Sequence, residues 1–414
     1  MRTYYLFTSI LLVSISSFAQ NTIKTMFYNV LEFPELNPNR IFLLQDILQD
    51  YEPDIFMVCE LQNQEGADAI LNTGLNSEGT SYNAAPYFDN QSGDGVGDLQ
   101  QALFYRNDMF VLENTEIVNT SVRDINKYTL LLNTVDQDIN PIRIYAYVTH
   151  LKSSQGSANQ QLRLSMVEAF VNDTEQLPED AFVLFAGDFN LYTSTEPAYL
   201  EILDGTNSIA MADPIDTPGS WNNNEDFKSI HTQSTRTSSS GFGGGAGGGL
   251  DDRFDFIMVS QNIMTDTNLH YKEDTYKAYG NNGNCYNNNI NDINCGGVFN
   301  QLVRDDLYNM SDHLPVVMEL ETNQEIVFLD RADQTVVQPF SLKSTLVSNV
   351  LTLFTPQVNI QHRLFSIYNT LGQEILSFDT ATNTTVVGVS QIANGIYYVT
   401  NHYTKQTLKF VKTF

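Results

Sequence analysis

The 414-residue chain carries 49 Asp+Glu against 21 Lys+Arg, a formal net charge of −28, with 42% apolar and only 17% charged residues. The apolar share excludes a largely disordered chain, and the acidity excludes passive binding of polyanions, which relies on Lys and Arg. It does not exclude catalysis on them, because a metal ion and a few local cations reverse the field at one cleft; as a bulk property the acidity reads as solubility.

The chain opens with a short basic start (Met1-Arg2), an apolar run over 4–15 and small residues at Ser17-Phe18-Ala19. This is the three-part pattern of a signal peptide, expected to span 1–19 and to be cut after Ala19. The run falls short of the ~20 apolar residues that cross a bilayer. No later stretch reaches that length, so an exported protein without a stable membrane span is expected. In an exported chain cysteines can pair. Cys285 and Cys295 bracket an Asn-rich loop and suit a local bridge, while Cys59, inside an apolar run, reads as a buried core residue.

Alternating or continuous apolar patterns predict strands over 23–29, 55–59, 142–149, 181–186, 254–259 and 314–320. Amphipathic spacing predicts helices over 40–50 and 160–171, the latter with Leu162, Met166, Val167 and Phe170 on one face. Strands interspersed with helices indicate a mixed α and β enzyme domain. Residues 238–249, nearly all Ser and Gly, and 281–297, rich in Asn and Gly, read as mobile loops. The stretch 243–249 lacks the Lys-Ser/Thr ending of a phosphate-cradling loop. Ca2+ is a candidate structural ion for the Asn-rich loops.

Polar residues fall at particular places on these strands. Asn29, Glu60 and His150 close three of them, and Asp188 with Asn190 follows a fourth. Asp255 opens its strand, and Asp312-His313 precedes the last. If the last two strands run antiparallel to the first four, all these side chains gather on one rim, as a metal-centred site requires. Each has an ordinary alternative taken singly: Asp188 and Asn190 as turn residues, Glu60 as a strand-end charge, His150 or His313 as a satisfied structural histidine.

Together, seven segments in order resemble the endonuclease/exonuclease/phosphatase superfamily over 22–320: Phe27-Tyr28-Asn29-Val30, Val58-Cys59-Glu60, Phe104-Tyr105-Arg106, Thr149-His150-Leu151-Lys152, Gly187-Asp188-Phe189-Asn190, Arg253-Phe254-Asp255-Phe256-Ile257 and Ser311-Asp312-His313-Leu314-Pro315. The resemblance implies an α+β fold, a four-layer α/β/β/α sandwich over 20–322, acting as a divalent-metal-dependent phosphodiesterase. Glu60 and Asp312 are the hard oxygen ligands expected for Mg2+ or Mn2+. The resemblance further implies that Asn29 helps hold the metal shell, that Asp188 orients or deprotonates the attacking water, and that Asn190 hydrogen-bonds the developing pentacoordinate phosphate. It pairs His313 with Asp255 and gives His150 a second phosphoryl contact. Arg106, Lys152 and Arg163 are expected substrate contacts. Relatives carry an acidic residue that orients the first histidine; here the segment reads Asp98-Leu99-Gln100-Gln101-Ala102, and Asp98 is its candidate.

Beyond a polar linker at 323–339, acidity disappears: from Asp330 onward six Lys/Arg face four Asp/Glu. Short alternating strands over 350–354, 364–368, 384–387 and 396–399 predict a small C-terminal β-sandwich at 340–414. Residues 367–374, 392–399 and 409–412 resemble the sorting domain of the type nine secretion system, although 346–350 replaces its Asn-Pro signature. The resemblance implies partnership with the secretion machinery and a secreted or surface-attached product. The leading expectation is therefore an extracellular endonuclease acting on DNA, RNA or both. A sphingomyelinase-like lipid phosphodiesterase or a phosphomonoesterase is the enzymatic alternative, weakly supported by a single Trp221. A catalytically silent surface-binding protein is the alternative of another class.

Overall fold

The computed structural model describes residues 21–77, 79, 81–93, 99–328, 340–354, 364–380, 384–402 and 407–414. The signal segment, Asp98 and linker residues 329–339 lie outside these. The chain divides into two compact units, Met1–Asp330 and Arg331–Phe414.

The first unit runs β1 (Asn21–Phe33), α1 (Ile41–Tyr51), β2 (Ile55–Leu61), α2 (Gln64–Ala69), β3 (Tyr82–Ala84), β4 (Gln100–Arg106), β5 (Phe110–Val118), β6 (Ile125–Leu132) and β7 (Arg143–His150). It continues with α3 (Ser157–Thr174), β8 (Phe182–Asp188), α4 (Pro197–Ile202), β9 (Met211–Ala212), β10 (Asp255–Ser260), β11 (His270–Tyr271), β12 (Lys277–Ala278), α5 (Gln301–Met310) and β13 (Val316–Thr322). A seven-stranded sheet is ordered β11-β13-β1-β2-β4-β3, with β12 also on β13, and a six-stranded sheet β5-β6-β7-β8-β10-β9.

Period-two alternation splits each strand's apolar residues between two faces. On β1 and β2, Phe27, Ile55 and Met57 point inward to meet Leu130, Ile144, Leu184 and Ile257 of the other sheet in one buried core. Met26, Tyr28, Phe56 and Val58 point outward under α1 (Leu44, Ile47, Leu48) and α5 (Val303, Leu307, Met310). On the second sheet, Tyr147, Val183, Phe185 and Phe256 pack under α3 (Met166, Val167, Phe170) and α4 (Ala198, Tyr199, Ile202). The result is the four-layer α/β/β/α sandwich. Each such fully buried side chain contributes about 1.5–3 kcal/mol of transfer free energy.

β1 and β2 are parallel, as are β7 and β8, whereas β13 is antiparallel to β1 and β10 is antiparallel to β8. That is the direction pattern the polar strand ends required. Gly187 of β8 pairs with Thr149 of β7 and leaves no room for a side chain, for a Cβ there would lie 2.3 Å from the Thr149 carbonyl oxygen. The Ser/Gly-rich segment is tied into the fold: Ala246 N–H donates to Asp312 Oδ2 and Gly249 N–H to the Arg236 carbonyl. Cys285 and Cys295 form a disulfide, and Cys59 is free and buried. Within the Asn-rich loop, Asn281, Asn282 and Asn284 donate to backbone carbonyls. Among the described residues, neither of the acidic or histidine clusters able to hold a metal lies there.

The second unit is a β-sandwich. A three-stranded sheet, β14 (Ser341–Leu342), β16 (Val350–Phe354) and β19 (Thr384–Gly388), faces a five-stranded sheet. The latter comprises β15 (Leu346–Val347), β21 (Thr407–Lys412), β20 (Gly395–Asn401), β17 (Leu364–Asn369) and β18 (Glu374–Asp379). Leu351, Leu353, Phe365, Ile367, Val399 and Phe410 fill the space between them.

Candidate active site

Strand ends create the site. In the second sheet His150 and Asp188 are register partners at the ends of β7 and β8, and Asp255, the first residue of β10, pairs with Asp188. In the first sheet Asn29 of β1 faces Cys59 of β2, immediately before register shifts in both strands. Such irregularities re-aim side chains. Here Leu31, Glu32 and Glu60 adopt φ of 47°, 45° and 59°, and turning the chain at Glu60 carries its carboxylate to the rim. Asn190 also sits in the left-handed region, φ 51°, where Asn is tolerated.

The resulting contacts are close. Asn29 Nδ2 donates to Glu60 Oε1 (2.9 Å) and Asp188 Oδ2 (3.1 Å), while its Oδ1 accepts from Leu31 N–H. Asn29 thus organises two carboxylates as a donor. His150 Nε2 lies 3.6 Å from Asp188 Oδ2 and 4.0 Å from Glu60 Oε1. His313 Nδ1 lies 2.7 Å from Asp255 Oδ2, and its Nε2 is 3.7 Å from Asp188 Oδ2. Asp188 Oδ1 accepts from Asn190 N–H, and Asn190 Nδ2 donates to the Leu151 carbonyl.

Burial sets the electrostatics. It pushes the Asp188 and Glu60 carboxyls upward, Asp255 and Glu60 adding to it at Asp188 and Asp312 at Glu60. Burial also opposes a charged His313, but Asp255, Asp312 and Asp188 together outweigh it and hold the imidazolium well above its usual range. His150 is driven well below its usual range by burial, with Arg123 adding to this. Its Nδ1 is buried without a hydrogen-bond partner among the described residues.

Two groups of ligand atoms lie mutually within 4.8 Å: Glu60, His150 and Asp188, and Asp188, Asp255 and His313. Several buried carboxylates against one imidazolium leave negative charge uncompensated, and among the described residues Asp255 Oδ1 and Asp312 Oδ1 are buried without partners. This donor set fits a hard divalent cation.

The expected residues divide by position. Asn29, Glu60, His150, Asp188, Asn190, Asp255 and His313 converge. Asp312 stands beside His313 but joins neither ligand group; its Oδ2 accepts from the Ser/Gly-rich loop's Ala246 N–H at 2.6 Å. Lys152 flanks His150, its Nζ on the Ser153 carbonyl. Arg163 does not face the cleft: it is fully buried, with Nε and Nη2 on Glu196 and Nη1 on the carbonyls of Lys152 and Ser154. Arg106 belongs to the opposite end of the first sheet, paired with Asp54 and Asp108. Asp54 and Glu60 are separated by about 20 Å of extended strand.

Two nearby residues carried no motif signal. Arg123 donates to the carbonyls of His150 and Leu151. Gln233 Nε2 lies 2.7 Å from His313 Nε2. Both sit in irregular segments between strands, where no periodicity marks them.

The sequence model of the endonuclease/exonuclease/phosphatase family matches residues 26–286. The chain belongs to this family. Residues 347–413 of this family member match the secretion system C-terminal sorting domain, which indicates export to the cell surface or beyond. Family members are typically metal-dependent hydrolases acting on phosphodiester bonds. No curated protein matches the chain. Among solved structures it is similar to D. rerio TDP2 complexed with single strand DNA product, at 18% identity and TM-score 0.48 over 73% of this chain and 99% of that one. It is similar also to the human Nocturnin catalytic domain with bound sulfate anion, at 16% identity and TM-score 0.45 over 73% and 97%. A family protein from Bacteroides thetaiotaomicron is matched at 14% identity and TM-score 0.45 over 73% and 99%. Among the described residues no helix is long and apolar enough to cross a membrane.

Proposed function

We propose that this family member is a secreted phosphodiester hydrolase dependent on Mg2+ or Mn2+, and that it cuts nucleic acid internally. The observation that carries this reading is the convergence of Glu60, Asp188 and His150 ligand atoms beside the His313–Asp255 pair. Glu60 and Asp188 would hold the metal through hard oxygens, with Asn29 keeping both carboxylates in place. A bound divalent cation supplies neutralisation of the phosphoryl and leaving oxygens.

The chain's own groups supply the rest. Asp255 fixes His313 through Nδ1, which leaves Nε2 on the rim to donate to a phosphoryl oxygen. Asp312 acts behind it, helping to hold the ring charged. Asp188 would orient the attacking water, and His150, 3.6 Å away and disfavoured as a cation by burial, would contact a second phosphoryl oxygen. Arg123 and Lys152, which have no carboxylate partner among the described residues, offer positive charge for an anionic chain. Trp221 is fully buried between Tyr199 and Phe256, so it is not available to a lipid surface.

The test is to incubate the purified mature protein with plasmid DNA, RNA, sphingomyelin and an inositol phosphate, each with Mg2+, Mn2+ or a chelator. Metal-dependent loss of supercoiled plasmid or of RNA is expected. Turnover of lipid or inositol phosphate alone would replace the nuclease reading, and inactivity on every phosphate ester would refute the enzyme.

A further inference from the structure

The strap 231–236 threads between segments that supply site residues on both sides. Gln233 N–H donates to the Asp252 carbonyl (3.0 Å), and the Gln233 carbonyl accepts from Asp251 and Asp252 N–H (2.8 and 2.7 Å). On the other flank, Leu314 N–H donates to the Thr232 carbonyl (2.7 Å) and Thr235 N–H to the Asp312 carbonyl (2.9 Å). Thr232 Oγ1 accepts from the N–H groups of Phe254 and Asp255. The strap's backbone is therefore fastened independently of what the Gln233 side chain does.

That side chain is half-buried and lies across His313. Its amide is 2.7 Å from His313 Nε2 and 3.4 Å from Asp312 Oδ2. Since Asp255 holds Nδ1, the imidazole has one nitrogen left for a substrate, and Gln233 already covers it. A carboxamide can answer either form of the ring, accepting through oxygen from an N–H or donating through nitrogen to a bare nitrogen. A phosphoryl oxygen needs the same nitrogen at the same distance.

We propose that Gln233 is a positioning residue that stands in for a substrate phosphoryl oxygen on His313 Nε2 and gives up that place when phosphate binds. The identity of the incoming group rests on the phosphodiesterase reading; the exchange itself rests on the geometry. Relinquishing one such hydrogen bond weakens phosphate binding by about 2- to 10-fold.

The test uses the full mature chain with Gln233→Ala, Gln233→Leu and Gln233→Glu. Turnover of bis(p-nitrophenyl) phosphate is followed with Mn2+, and inorganic phosphate binding is titrated calorimetrically without substrate. Gln233→Ala and Gln233→Leu should lower both KM and the phosphate Kd by about 2- to 10-fold, so that kcat/KM rises through KM. Gln233→Glu should raise both, because a carboxylate competes better for the imidazole and repels the phosphate. A raised KM or Kd in Gln233→Ala would mean that the amide grips substrate, and unchanged values in all three variants would mean that it touches nothing relevant; either overturns the proposal. If the wild type hydrolyses no phosphodiester, the functional reading fails, and the phosphate titration decides the exchange on its own. Absence of phosphate binding in both wild type and Gln233→Ala then refutes it.

Discussion

Replacing Arg163 by Ala separates a substrate contact from a structural clamp. Its guanidinium is 0% exposed, donates to Glu196 Oε2 at 2.9 and 2.7 Å, and ties down the carbonyls of Lys152 and Ser154. Glu196, 1% exposed, meanwhile accepts from Tyr192 N–H through its other oxygen. One side chain thus joins α3 to the loop after His150 and to the loop after Asn190. Its removal strands a buried carboxylate, which costs about 3–5 kcal/mol. With about 2.1 cal/mol/K of unfolding entropy per residue over roughly 310 residues, Tm should fall by about 5–8 °C. Differential scanning calorimetry of Arg163→Ala, Glu196→Leu and the Arg163→Met/Glu196→Leu double variant checks this, the double variant being expected to recover much of the loss by removing both charges. Steady-state kinetics should show a fall in kcat as the loops lose their anchor. An unshifted Tm with a raised KM alone would refute the clamp and restore Arg163 as a phosphate contact.

Asp255→Asn should leave the fold intact but lower kcat about 10²–10⁴-fold, since the partner that orients His313 loses its charge; circular dichroism and turnover measured together check it. Asn29→Ala should weaken Mn2+ affinity about 10- to 100-fold, read by calorimetric titration, because both carboxylates lose their common donor. His231 is buried and its pKa is pushed down to about 4, chiefly by burial. Below pH ~6.5 the unfolded state takes up a proton that the folded state refuses, so stability is lost from about pH 6.5 down to 4, by up to about 3 kcal/mol. Urea melts at pH 7.5 and 4.5 should show that loss in the wild type and a smaller one in His231→Gln. The Cys285–Cys295 bridge closes a loop of sequence separation 10. Cys285→Ser/Cys295→Ser should lower stability by about 3 kcal/mol in the same melts, matching the effect of reductant on the wild type.

Much of the site was legible because its residues sit at strand ends next to strong apolar patterns. Residues 55–59 and 181–186 are continuous apolar runs, and the polar residue that breaks each pattern marks where the chain reaches the rim. Less legible was β5: among the described residues an edge strand paired with β6, it leaves Glu113, Asn114 and Glu116 on its surface and shows no clean alternation. Helix α5 hides similarly, since one of its buried positions is Arg304, whose Nη1 donates to the carbonyls of Ile290 and Asp292. Arg163 illustrates the same limit on the functional side. A cation beside a phosphate-site motif reads as a phosphate contact until its carboxylate partner, 33 positions along the chain, is seen against it.

The sequence by itself determined the family, the sorting tail and the strands on which the site residues ride, because those depend on local patterns and ordered motifs. Tertiary structure alone decided which cations turn inward, that the Ser/Gly-rich loop fastens Asp312, and that Gln233 covers His313 Nε2. The physical reason is that a side chain's partner is chosen by which segments meet in space. Asp312, 66 residues from Ala246, and His313, 80 from Gln233, acquire those neighbours only when the strap between β9 and β10 folds back onto the rim.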